Sequence, residues 1–131
     1  MRTYLLGIAI GVLAALSLAQ GQETPAAPPM ADAAGVRTIQ SLAGPWRCRE
    51  DRSNVGVQEA WYKTRLDKTA TLPGAGSSAV VWYQRDLEVL DDWKGKRIEL
   101  TLGRSRVTQV WVNERFVGMR NGLSTEQSYD L

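Results

Sequence analysis

Histidine is absent from all 131 residues, and that absence removes several chemistries together. A Ser-His-Asp or Cys-His nucleophile cannot be assembled, and zinc sites built on imidazole are excluded. Cysteine occurs once, at Cys48, so the chain can close no internal disulfide. Its place two residues after Trp46 puts both on one strand face, where a buried free thiol is expected rather than a reactive or intermolecular one. Runs of Lys or Arg beside aromatic residues are missing, and a net charge of +2 with acids and bases interspersed disfavours nucleic-acid binding. Gly74-Ala75-Gly76 lacks the Lys and Ser/Thr of a phosphate-cradling loop and follows Pro73, so it reads as a turn. No cofactor and no metal are expected. After residue 36 there is neither an amphipathic helix pattern of useful length nor a repeat at a fixed period, which leaves an all-β architecture.

What is present begins with an address. Arg2 precedes an apolar run from Tyr4 to Ala19 that ends in Ser17-Leu18-Ala19, the pattern of a secretory signal peptide cleaved after Ala19. The alternative, an uncleaved anchor, needs roughly 20 residues to span a bilayer, and this run has sixteen. No Cys follows it, which disfavours a lipoprotein. Residues 20–35, with Pro25, Pro28 and Pro29 among alanines, read as a disordered linker. The remaining 96 residues, 36–131, suit one small domain. The expectation is therefore a secreted or periplasmic chain with no membrane contact after cleavage.

Within that domain the hydrophobic period is two. Leu42, Gly44, Trp46 and Cys48 alternate with Ala43, Pro45, Arg47 and Arg49, a half-buried strand that Pro45 confines to an edge or a strand start. Asp51 to Gly56 is a polar loop, followed by an apolar patch at Ala60-Trp61-Tyr62, and Thr69 to Leu72 is a further short strand. Val81, Tyr83, Leu87 and Val89 share a core face, while Trp82, Gln84, Asp86 and Glu88 share the other. Arg85 falls on the apolar face and needs a charged or carbonyl partner, with a structural ion pair expected. Ile98, Leu100 and Leu102 resume the alternation, then Val110 and Val112. Asn113-Glu114 has hairpin spacing, although Glu sits where such a turn favours Gly, so a longer loop is the alternative.

Several words along this pattern resemble the N-terminal sugar-binding domain of glycoside hydrolase family 2. They are Leu42-Ala43-Gly44-Pro45-Trp46, Leu72-Pro73-Gly74, Trp82-Tyr83-Gln84-Arg85 and Asp92-Trp93-Lys94-Gly95-Lys96-Arg97, in that order. Val110-Trp111-Val112-Asn113 with Val117-Gly118, Leu123-Ser124-Thr125 and Tyr129-Asp130-Leu131 complete the set. The resemblance covers about residues 40–131. It implies a jelly-roll β-sandwich of the galactose-binding type, packed in relatives against an immunoglobulin-like domain and a catalytic (β/α)8 barrel. In those retaining β-glycosidases, of the β-galactosidase and β-glucuronidase kind, both catalytic glutamates lie in the barrel, so a non-catalytic module is expected here. Three departures stand out: a short segment between Pro73 and Trp82, Asn113-Glu114 in place of Asn-Gly, and an end at Leu131 where relatives continue, which suggests truncation.

Candidate sites follow from two chemistries. Glycoside hydrolysis needs two carboxyl groups roughly 5–9.5 Å apart in a cleft. Asp86 and Glu88 are about 7 Å apart by strand rise but read as a solvated outer face, and no catalytic residue is assigned. Sugar binding needs an aromatic plate and planar polar groups. Trp82 and Trp111 are the candidate plates, with Trp93 a further candidate, and Arg120 and Asn121 the candidate hydroxyl partners. The favoured expectation is that these tryptophans pack the sandwich or a neighbouring domain, since Trp is usually mostly buried. The expected partner is a β-linked glycan or, for a module that only packs, a catalytic (β/α)8 barrel.

Overall fold

The computed structural model describes residues 2–11, 30–31, 38–74, 78–103, 105–122 and 125–131. Among the described residues ten strands follow in chain order: β1 (Arg2–Gly11), β2 (Met30–Ala31), β3 (Thr38–Ile39), β4 (Gly44–Asp51) and β5 (Lys68–Leu72). The second half supplies β6 (Val80–Val89), β7 (Glu99–Leu102), β8 (Val107–Val112), β9 (Arg115–Asn121) and β10 (Gln127–Asp130). Among the described residues only single 3-10 turns, Trp61–Lys63 and Asp91–Trp93, interrupt the strands. The all-β expectation holds. A six-stranded sheet runs β5-β4-β6-β1-β8-β9, β10 pairs with β7 in a second sheet, and β2 pairs with β3. Every pairing is antiparallel.

Alternation decides what goes inside. Leu6, Trp46, Leu100, Val110 and Tyr129 form one buried cluster, with Tyr83, Leu87 and Val112 packed against it. These residues come from β1, β4, β6 and β8 on one side and β7 and β10 on the other, so the core lies between two sheets, as in a β-sandwich. Thr108, wholly buried, bonds both the Gln127 and Tyr129 side chains, and the Tyr129 hydroxyl also donates to the Thr108 carbonyl at 2.9 Å. That network satisfies polar groups whose burial would otherwise be costly.

Pro45 is the second residue of β4 and exposed, the strand-start position its missing N–H tolerates. Arg85 meets its need with carbonyls rather than the expected ion pair: its guanidinium donates to Leu42 O at 2.7 Å and Ala43 O at 3.3 Å, above the Trp46 ring. Cys48 is only half-buried. Burial still pushes its thiol pKa up, against the opposing charge of Lys68 and with help from Asp67.

The hairpin is tighter than the Glu suggested. Val112 pairs with Arg115, leaving Asn113 and Glu114 as a two-residue turn with φ of 47° and 68°. Twist-matched hairpins require positive φ at both positions, so Glu114 sits where a Cβ is unfavourable by about 1 kcal/mol. Glu114→Gly is therefore expected to stabilise the domain by roughly 0.5–1 kcal/mol, seen as a higher urea midpoint with an unchanged slope.

At the N-terminus, residues 2–11, whose composition also suits an export address, form a strand inside the six-stranded sheet. Arg2↔Val89 through Gly11↔Val80 pair β1 with β6, and Leu6↔Val112 through Gly11↔Val107 pair it with β8. The expected cleavage position after Ala19 lies outside the described residues. So does the expected linker 20–35, except Met30–Ala31, which pair with Ile39 and Thr38. No helix among the described residues is long and apolar enough to cross a membrane.

Candidate functional site

Trp82 and Trp111 point away from the inter-sheet core, as their strand parity requires, but that face is covered. Residues 52–67 fold back over it, and Leu66, Trp82 and Trp111 form a second buried cluster with Trp61, Tyr62 and Val80 against them. Trp82 is 1% and Trp111 4% exposed. Neither presents a ring face to a sugar in this arrangement; both pack inside, as the favoured of the two readings expects, although not in the inter-sheet core.

The cover is fixed by a carboxylate. Asp51, at the end of β4 and 3% exposed, accepts Val55 N at 2.8 Å, Gly56 N at 2.7 Å and Trp82 Nε1 at 3.1 Å. One acid thus turns the chain after β4 and holds the indole beneath it. Gln84, 2% exposed, closes the other end: its Oε1 accepts Leu66 N at 3.2 Å and its Nε2 donates to Thr64 O at 2.9 Å. Period-two alternation places Trp82 and Gln84 on the outward face with Asp86 and Glu88, and only a covering loop outside that strand makes these two buried.

Gly56 makes that approach possible. A Cβ there would lie 2.2 Å from Trp82 Nε1 and 2.7 Å from an Asp51 carboxylate oxygen, inside contact distance of two groups that are themselves held in place. Gly56→Ala is expected to destabilise by about 1–3 kcal/mol, as overpacking does, with a tryptophan emission shift toward the red at the same urea concentration.

Aromatic contacts then run outward to solvent. Trp82 and Trp111 centroids are 4.8 Å apart, Tyr62 stacks on Trp111 at 5.5 Å with rings 5° from parallel, and Phe116 tilts against Trp111 at 5.3 Å. Phe116 is 56% and Met119 54% exposed, both on β9, an edge of the six-stranded sheet. This apolar edge was not anticipated. Its sequence signal is the sole Phe of the chain, placed opposite Trp111 in the hairpin register.

Arg120 and Asn121 do not join the tryptophans. Arg120 pairs with Thr108, lies over the Tyr129 ring at 5.2 Å and donates to Ser128 O at 3.3 Å, so it serves the inter-sheet side. Asn121, exposed, pairs with Val107 at the end of β9. The four candidate sugar contacts therefore fall on two sides of one sheet. Trp93 is half-buried in its 3-10 turn. Asp86 is engaged by Arg47 at 3.0 Å, while Glu88 is exposed.

A separate groove of about 290 Å³ is lined by Pro45, Trp46, Arg47, Thr69, Gln84, Arg85 and Asp86. Its polar groups are already committed to one another: Arg47 reaches both Asp86 and Gln84, and Arg85 is held by carbonyls. Trp46 there is 3% exposed, donates Nε1 to Leu42 O at 2.8 Å and has the Arg85 guanidinium over its ring, so its face is not open as a plate. No family model matches the chain, and no solved structure matches it.

Proposed function

We propose that this chain is a non-catalytic β-sandwich module of an exported carbohydrate-active protein similar to glycoside hydrolase family 2, and that it serves by packing against a catalytic domain rather than by holding sugar. The resemblance supports the family. Its Leu42-to-Trp46 word runs into β4, its Trp82-to-Arg85 word lies within β6, and its Val110-to-Asn113 word ends in a tight hairpin. The jelly-roll topology and the secreted or periplasmic location belong to the same proposal.

One observation carries the choice of packing over sugar binding: the two candidate plates are internal, while Phe116 and Met119 stand more than half exposed on an edge strand. An apolar side chain left in water beside an aromatic cluster gains by being covered, at about 25 cal/mol per Å². Calorimetric titration with β-linked gluco-, galacto- and xylo-oligosaccharides is expected to give no heat. A recombinant family 2 (β/α)8 barrel supplied in trans is expected to bind, and Phe116→Asp to weaken that binding. Saturable sugar binding tighter than about 1 mM would restore the glycan as the direct partner.

A further inference from the structure

One stretch of sequence has two incompatible uses. Residues 2–19 have the composition of a removable address, yet residues 2–11 pair with β6 along their whole length and residues 6–11 pair with β8 as well, inside the main sheet. Removal would not be a trimming of an end. The strands β6 and β8 that flank β1 are two spacings apart, roughly 9.5 Å, too far to pair with each other. Hydrolysis of the Ala19–Gln20 bond by a signal peptidase, with water supplying the new carboxylate and amine, would leave two facing rows of unpaired backbone groups. Such edges recruit another strand.

The slot has selective features beyond its backbone. At Leu5 it holds the main chain through a side chain: Leu5 N donates to Asn113 Oδ1 and Asn113 N to Leu5 O, both at 3.0 Å. At the next position it takes a large aliphatic group, since Leu6 is wholly buried among Trp46, Leu100, Val110 and Tyr129. At the next it takes a small one. Trp82 and Trp111 belong to the two flanking strands, yet their rings meet at 4.8 Å, leaning together above β1 where Gly7 is paired with Trp111. A Cβ at Gly7 would sit 3.9 Å from Trp111 Cβ and 4.0 Å from the Trp111 carbonyl oxygen, so a methyl fits, and because Gly7 is itself buried a longer side chain has to displace what covers it.

We infer that the groove between β6 and β8 is a strand-acceptor site, filled by β1 in the unprocessed chain and, once β1 is gone, by an extended segment of another polypeptide. The segment it selects runs antiparallel to both walls and places a large aliphatic residue beside Gly or Ala. β1 is then the plug that keeps the two edges from pairing indiscriminately before the partner arrives.

The full chain carrying Gly7→Leu tests this, because it weakens the chain's own plug without removing any residue. A fluorescent peptide of the sequence of residues 2–11 with a lysine tail is titrated into it, and hydrogen exchange of the β6 and β8 amides is followed. The expected result is one-to-one binding that restores protection on both strands, with a peptide carrying the Gly7→Leu change binding ~10-fold or more weaker. A second chain, Leu6→Asp, is expected to accept the unmodified peptide in the same way. The proposal is overturned by equal binding of both peptides, or by β6 and β8 amides already fully protected in both variant chains. It is equally overturned by a variant that unfolds and is not refolded by the unmodified peptide. None of these outcomes depends on sugar or barrel binding.

Discussion

Trp82→Ala is expected to lower the stability of the domain by about 3–5 kcal/mol, the usual cost of truncating a buried aromatic residue. The indole is 1% exposed, touches Trp61 and Trp111, and donates to Asp51. Its loss leaves a cavity that cannot collapse easily, because Asp51 and Gln84 pin both ends of the covering loop. It also strips the buried Asp51 carboxylate of one of its three donors. Small domains have only about 5–15 kcal/mol in total, so a large share of the folded state is at stake. Phe116→Ala, on the same aromatic run but 56% exposed, is the matched control and should change stability by no more than about 0.5 kcal/mol. Urea unfolding followed by far-UV circular dichroism separates the two. A Trp82→Ala chain as stable as the parent would mean that the indole is a surface plate after all.

The contrast between these two residues shows what local pattern can reveal. Period-two alternation identified β4, β6, β7 and β8 and the side of each that meets the inter-sheet core, since the pleat ties parity to face without reference to any distant residue. Val81 and Tyr83 inward and Trp82 outward follow from that alone. Whether an outward residue meets water is a different question, settled by elements far away in sequence. Trp82 is buried because a loop beginning at Val55 is drawn over it by Asp51, and because Gly56 leaves room for the ring. A polar stretch such as Asp51 to Gly56 reads as an exposed loop, and only its geometry turns it into a lid. The patch Ala60-Trp61-Tyr62 was the single sequence hint that the lid has an apolar underside.

Arg85 and the N-terminus show two further limits. The cost of burying a guanidinium predicts that Arg85 has a partner but not which one, and carbonyls before Gly44 met the need where an acid was expected. Residues 2–11 carry Leu5-Leu6 and Ile8-Ala9-Ile10 in near-continuous apolar sequence. A strand buried on both faces has that same pattern, and composition cannot distinguish it from an export signal. The segment pairs with β6 and β8 in the full chain, and that pairing is compatible with either use of the sequence.

Leu6→Ala follows from that placement and is expected to cost about 2–5 kcal/mol. Leu6 is wholly buried, and the walls of the space it would vacate are stiff: Trp46 is tethered to Leu42 O and Tyr129 to Thr108. Stiff walls keep a cavity open, which places the cost toward the upper end of the range. The effect should also be cooperative. β1 lies between the half-sheet β5-β4-β6 and the pair β8-β9 in the strand order, so loosening it weakens the backbone connection through which both halves share their stability. One urea transition at a lower midpoint with an unchanged slope is expected, with amides of β4 and β8 losing protection together. Leu90→Ala, at a leucine 45% exposed, should leave the midpoint nearly where it was. A Leu6→Ala chain that unfolds with the parent midpoint would remove β1 from the core, and with it the reason to expect that the groove between β6 and β8 must always hold a strand.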